Sequence, residues 1–291
     1  MSFQWSRTDD DIGVGFVRIA REQISKAIAE AENVQDSPER RVHETRRRCK
    51  KLRALFRLVR TDFGAYKHEN AFVRDAAKGL SQARDTRVAR QTFEELMAWA
   101  GSPVTAVPHE AVDPATEQAA LREFAGHMRE LYARSTTWNV DGIGLGTLTS
   151  GLKQTYRRSR WTRRFAERHR TDEAFHEWRK YAKYHWNQLG LLEECAVDIL
   201  PSAHKSAGEL AEVLGLHHDL AVLGHVLDAS PDEVGGDVDV GATRTAIEGR
   251  QAELEARIAS LGQQVFAERP KALKSRFDAY FTGWTVLEAA E

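Results

Sequence analysis

Two segments of the chain carry one pattern of histidine and basic residues, and the pattern has the spacing of a helix. The first reads Val42-His43-Glu44-Thr45-Arg46-Arg47-Arg48-Cys49-Lys50-Lys51-Leu52-Arg53, and the second reads Phe175-His176-Glu177-Trp178-Arg179-Lys180-Tyr181-Ala182-Lys183. In both, cations follow the histidine at +3, +4 and +7. On a helix those offsets share one side. Around the first helix Thr45, Cys49, Leu52, Phe56 and Val59 form an apolar side, and His43, Arg46, Arg47, Lys50, Arg53 and Arg57 lie roughly opposite. One side packs into a core while the other presents cations. A cationic stripe that occurs twice points to a polyanion.

The repetition continues along the chain. His176 stands 133 positions after His43, and Asp219 of Leu214-Gly215-Leu216-His217-His218-Asp219 stands 134 after Asp85 of Leu80-Ser81-Gln82-Ala83-Arg84-Asp85. Nearly equal offsets indicate a duplicated helical unit. Halves packed with approximate two-fold pseudo-symmetry would set the two histidine-basic helices face to face across one groove. Helical periodicity dominates elsewhere, and no run alternates long enough to be a strand. It predicts helices over 9–33, 38–60, 66–80, 85–100, 114–135, 146–169, 171–196, 202–215, 217–229, 241–265 and 269–288. Ser37 is a natural N-cap, with Pro38 at the first helical position and Glu39 in the first turn. Loops are expected over 101–113, 136–146 and 229–241. Gly142, Gly144 and Gly146 complete no nucleotide-binding glycine motif, so their segment reads as a linker. The expectation is a single all-α domain over 1–291, with half-repeats over 9–135 and 147–288 joined by 136–146.

Charge is segregated. The formal net charge is only −1, yet residues 41–60 hold nine Lys/Arg against one acid and residues 150–170 hold eight against one. Segregated charge focuses potential into a site. Lys153, Arg157, Arg160 and Arg164 follow i, i+4, i+7, i+11 just before the second histidine helix, so they are expected to line the same groove. Lys271 and Lys274 of the last helix are further candidates. Cys49 and Cys195 form no CxxC and read as core residues in a reducing cytosol. No stretch reaches the ~18 apolar residues of a membrane span. The N-terminus is polar and acidic, unlike a signal peptide.

These residues resemble the CHAD family, the conserved histidine α-helical domain. The resemblance rests on Ser37-Pro38-Glu39 leading into His43, on Arg46, Lys50, Lys51, Leu52 and Arg53, and on His176, Arg179, Lys180 and Lys183. Leu80 with Arg84-Asp85, Leu214-Gly215 with His218-Asp219, and the closing Arg269-Pro270-Lys271, Tyr280 and Trp284 extend it. It implies a helical bundle of two repeats around a basic central channel that binds inorganic polyphosphate. The expected ligand set is His43, Arg46, Arg47, Lys50, Arg53, Arg57, Lys153, Arg157, Arg160, Arg164, His176, Arg179, Lys180, Lys183, Lys271 and Lys274. Trp186 and Asn187 replace expected cations in the second half, and Ser81 replaces a usual glycine, so residues 42–57 should hold the anion more strongly. The resemblance also implies cytoplasmic residence, with polyphosphate granules as a possible address.

Other chemistries are weaker. His218-Asp219 is the doublet of metal-dependent phosphohydrolases, but its repeat partner Arg84-Asp85 offers no metal ligand in place of the histidine. Asp85 and Asp219 read as caps or as orienters of arginine. Glu253-Leu254-Glu255-Ala256-Arg257 approximates the ExExK motif of triphosphate tunnel enzymes, yet it lies in a helical pattern. The reading is therefore a binding module, not an enzyme, with no cofactor and no metal. A polyphosphate or nucleotide phosphohydrolase, or a binder of nucleic acid or acidic protein, is the alternative. Nucleic acid is disfavoured by the near-neutral charge. Trp138, Trp161, Trp178, Trp186 and Trp284 read as core. His43 and His176 are expected to donate to phosphate, with affinity rising as pH falls through roughly 6.5.

Overall fold

A computed structural model describes residues 3–9, 11–80, 85–102, 114–234 and 238–288. Among them are ten α-helices and no strand: α1 (Ile12–Glu32), α2 (Pro38–Leu58), α3 (Tyr66–Lys78), α4 (Asp85–Trp99), α5 (Pro114–Arg134), α6 (Leu145–His169), α7 (Asp172–Leu191), α8 (Leu200–Ala229), α9 (Val240–Val265) and α10 (Pro270–Glu288). The all-α expectation holds. Ser81 to Arg84, and with them most of one repeat landmark, lie outside the described residues, as do 103–113 of the first loop and 235–237 of the last.

Local chemistry sets the helix ends. The Asp11 carboxylate accepts from the Val14 amide at 2.7 Å, so α1 starts at Ile12 and not at residue 9. Ser37 Oγ accepts from the Arg40 amide at 3.3 Å, with Pro38 and Glu39 in the first turn as their types favour. Helix α7 ends at Leu191, five residues before the periodicity suggests, and a one-turn 3-10 helix over Glu193–Ala196 follows. The expected break at residue 216 does not occur. Gly215 lies inside the continuous 30-residue helix α8, where a helical glycine costs only ~1 kcal/mol.

The helices pack around one continuous core that runs from Trp5 to Trp284. Helix α1 packs on α2 and α5, and α6 packs on α7 and α10. Helix α2 also packs on α6 and α7, which joins the two halves of the chain. The closest approach is at Gly151 of α6, where a Cβ would overlap the Leu58 carbonyl of α2. The five apolar residues assigned to the α2 core side are all buried. Cys49 and Cys195 are buried free thiols, and burial pushes both up to about 12. By length and hydropathy α8 passes the test for a membrane span, which the count of consecutive apolar residues did not reveal. Half of that window is buried, and α8 sits between α4, α7 and α9 as a core helix does.

Candidate functional site: an arginine and tyrosine seam

Helices α2 and α7 run in opposite directions along their contact. Gln188 of α7 donates to the Ala54 carbonyl of α2 at 3.1 Å. Moving up α2 from Arg53 to Arg57 moves down α7 from Tyr184 to Tyr181. The Arg53 guanidinium lies 5.7 Å from the centre of the Tyr184 ring, and Arg57 lies 4.4 Å from Tyr184 and 5.8 Å from Tyr181. Arg158 of α6 lies 5.5 Å from the Tyr181 ring and 4.3 Å from that of Trp161. Two helices, α2 and α6, thus bring cations to two phenols of a third, α7. Arg60 adds a fourth cation beside Tyr66 and Arg57.

The electrostatics of this seam are one-sided. Arg53, Arg57 and Arg60 are partly buried, and among the described residues no carboxylate forms an ion pair with them or with Arg158. Burial lowers the basicity of Arg53 and Arg60. For Arg57 burial opposes the charge, and the surrounding tyrosines more than offset it. Arginine stays cationic throughout. Arg53 donates to Asn70 Oδ1 at 3.3 Å, a neutral acceptor that orients the fork and leaves its charge. The neighbouring Arg41 and Arg48 serve differently. Buried Arg41 reaches the Ala31 carbonyl and Gln118, and Arg48 pairs with Glu30 at 2.6 Å, so both tie α2 to the rest of its half.

The other expected residues are distributed around this seam. Arg46 donates to the Ala77 carbonyl at 2.9 Å, at the end of α3. Arg47 is exposed and pairs with Glu44 at 3.0 Å. Lys50, Arg179 and Lys183 are half-buried, and the Arg179 Nε lies 4.0 Å from where a Cβ of Gly215 would stand. Lys180 is exposed and pairs with Glu177. The α6 stripe does not join the seam as expected. Arg157 and Arg164 are exposed, Lys153 is half-buried, and Arg160 donates to the Glu268 carbonyl before α10. The stripe lies on the side of α6 away from α2, and the residue that reaches the seam is Arg158, outside the i, i+4, i+7 series. It stands two turns after Gly151 on the same side of α6, a relation visible only once that glycine is known as the contact point. Lys274 pairs with Asp278 at 2.8 Å and Lys271 is exposed, both on α10.

The matched histidines have different surroundings. His43 is exposed near the start of α2. His176 is half-buried, with Nδ1 3.2 Å from Nδ1 of His218. Burial first, then Arg179 and Lys180, lower its pKa. Its ring therefore charges below 6.5, not at it. The antiparallel seam sets the two histidines towards opposite ends. Among the described residues no group of three or more His, Cys, Asp or Glu stands close enough to hold a metal ion. Glu253 to Arg257 is helical, with Glu255 beside His217 and Arg170 and with Arg257 beside Glu209. Trp178 and Trp284 are buried and Trp138 and Trp186 pack against the core, but Trp161 is 50% exposed. Arg158 lies over its ring as well as over that of Tyr181.

The fold and the seam define an all-helical protein whose two halves meet along a tyrosine-backed row of arginines. The chain belongs to the CHAD domain family: the family model matches residues 18–228, which includes both histidine-basic helices and both aspartate landmarks. The match ends in α8, so the closing Arg269 to Trp284 segment lies outside it. No curated protein and no solved structure matches the chain.

Proposed function

We propose that the protein is a binding module for inorganic polyphosphate, held along the α2–α7 seam. The observation that carries this reading is the set of cations, partly buried Arg53, Arg57 and Arg60 with exposed Arg158, that faces tyrosine rings instead of carboxylates. A fold that desolvates cations without neutralising them is suited to an anion that arrives later. Each internal phosphate carries one negative charge and acceptor oxygens that a guanidinium fork can clamp in pairs. Tyr181 and Tyr184 add hydroxyl donors and stiff walls. Membership of the CHAD domain family supports the same ligand class. In this reading the halves are related by an approximate two-fold, and Arg46, Lys50, Arg179 and Lys183 extend the seam at each end into a basic channel. The protein acts in the cytoplasm as a binder and not as an enzyme.

Calorimetric titration with size-fractionated polyphosphate tests this. Long chains should bind tightly and short oligophosphates weakly. The logarithm of affinity should fall against that of salt with a slope of order −0.7 to −0.9 per neutralised phosphate. Each charge-assisted contact contributes ~1.5–3 kcal/mol. Arg57→Glu with Arg158→Glu, and Arg46→Glu with Arg179→Glu, should therefore each weaken binding by about a hundredfold or more. Normal binding by both double variants would place the site elsewhere. Phosphate release with Mg²⁺ or Mn²⁺ that is lost in His218→Ala would replace the binder with a hydrolase. Preference for DNA or RNA over polyphosphate in competition would replace the ligand.

A further inference from the structure

The flank of α6 beside the seam carries an exposed aromatic ladder, which Arg158 joins to the seam. Trp161 and Phe165 are 50% and 41% exposed and stack at 5.4 Å, and the Phe165 ring lies 4.1 Å from that of the exposed His169. Arg157, Arg158, Arg164 and Arg168 flank the ladder and are all exposed. Among the described residues none of the four has a carboxylate partner, and the one acid on this stretch, Glu167, faces Arg163 at 3.5 Å. Exposed tryptophan and phenylalanine ringed by unpaired arginine have the composition of a protein-binding hot spot. The rings are already stacked on each other and on Arg158, which suits docking of aliphatic side chains better than insertion of bases.

The same molecule carries the complement. Between α7 and α8 the chain turns through Glu194, Val197, Asp198 and Ile199. Val197 and Ile199 are each 54% exposed, among the most exposed large apolar side chains described. Glu194 and Asp198 have no cationic partner among the described residues, whereas Glu193 is held by His204 at 3.0 Å. This edge is aliphatic and acidic where the ladder is aromatic and basic. The two cannot meet within one copy. Helix α10 packs between α6 and the one-turn helix of this edge, on the side where Arg160 reaches Glu268. Trp161 and Phe165 lie roughly 100–140° round α6 from Arg160, so they face away from it.

We propose that these surfaces join copies of this chain head to tail, the Trp161–Phe165 ladder of one copy seated on the Val197–Ile199 edge of the next. Pairing of the ladder with itself would oppose the arginines and is disfavoured by charge. A contact between two different patches does not close on itself, so it generates rings or open chains of copies, not a simple two-fold dimer. The proposal does not depend on the identity of the polyanion.

Sedimentation velocity over a concentration series, at low and high salt, tests it on the full-length chain. The wild type should show mass that rises with concentration and falls back towards the monomer as salt is raised. Phe165→Glu and Asp198→Arg should each weaken association at least about tenfold, with far-UV circular dichroism unchanged. Mixing these two variants gives each complex one intact ladder and one intact edge, so assembly should stop at two copies. Arg164→Glu combined with Asp198→Arg in one chain reverses both charges and should recover association lost in each single variant. A monomer at every concentration would overturn the proposal. So would association that Phe165→Glu abolishes and Asp198→Arg leaves intact, because the ladder would then be pairing with something other than this edge.

Discussion

A partly buried arginine beside a phenol, with no carboxylate in reach, holds a charge that the fold has not neutralised. That condition separates Arg57 from Arg48, which spends its charge on Glu30, and from Arg160, which spends its donors on the Glu268 carbonyl, and exposed Arg158 shares its lack of a carboxylate partner. Sequence spacing puts Arg57 and Arg160 in the ligand set and leaves out Arg48 and Arg158, and packing sorts them differently. The histidines show the same sorting. Burial drives the His185 pKa down to about 3, and burial also lowers those of His176 and His217. Each ring takes a proton near 6.5 when unfolded and only at lower pH when folded. The unfolded chain then binds more protons over this range, so stability is full above 6.5 and is lost as pH falls below it. For His185 the loss continues down to about pH 3. By pH 5 His185, still neutral when folded, should have cost about 2 kcal/mol of stability, and His176 and His217 add to the loss in the same direction. Urea denaturation of the unliganded protein at pH 7.5 and pH 5 should show that loss, and His185→Gln should flatten the slope. Equal midpoints at both pH values would mean that these rings are not held neutral.

At the scale of elements the crossing of α2 and α6 is the sharpest constraint. Gly151 allows it, because any side chain there would enter the Leu58 backbone. Gly146, one turn earlier on the same helix, has open space where its Cβ would lie. Gly151→Ala should therefore cost about 1–3 kcal/mol through forced separation of the helices. Gly146→Ala should be neutral or slightly stabilising, since it only restricts the unfolded chain. The separation also moves Arg158 relative to Arg57 across Tyr181, so Gly151→Ala should weaken polyphosphate binding while Gly146→Ala does not. Denaturation midpoints and titrations of the two variants check both halves of the claim. Helix existence and faces were legible from the sequence because the 3.6-residue period and the Ser37 cap act locally. What was not legible is how each helix is rotated against its neighbours. The α6 stripe reads as a groove wall by spacing alone, but the Gly151 contact turns α6 so that Arg158 faces the seam and Arg157 and Arg164 face outwards. Gly215 misled in the other direction, because nothing local shows that a continuous α8 packs well enough against α7 to absorb a helical glycine.

For the whole molecule, the family match and the core have different limits. The match ends at residue 228, yet the core does not. Trp178, fully buried at the middle of α7, packs under Gly262 of α9 so closely that a Cβ there would lie 2.8 Å from the indole. Tyr156 of α6 and His185 of α7 lie against Phe266, with ring centres 5.2 and 5.5 Å apart. Tyr156 also donates to the Glu268 carbonyl at 3.0 Å. Leu254, Ile258, Leu273, Phe277 and Phe281 bury the rest of this side. A chain ended after residue 228 would expose all of these partners on α6, α7 and α8. Each buried aliphatic or aromatic side chain contributes ~1.5–3 kcal/mol, so the loss would exceed the ~5–15 kcal/mol by which a typical domain is stable. Such a chain should keep much of its helical far-UV signal, bind a hydrophobic dye, and show no cooperative heat-absorption peak. It should also lose polyphosphate affinity, because α6 and α7 carry Arg158, Tyr181 and Tyr184. A sharp calorimetric transition in the shortened chain would show instead that α9 and α10 are an addition to a self-sufficient core.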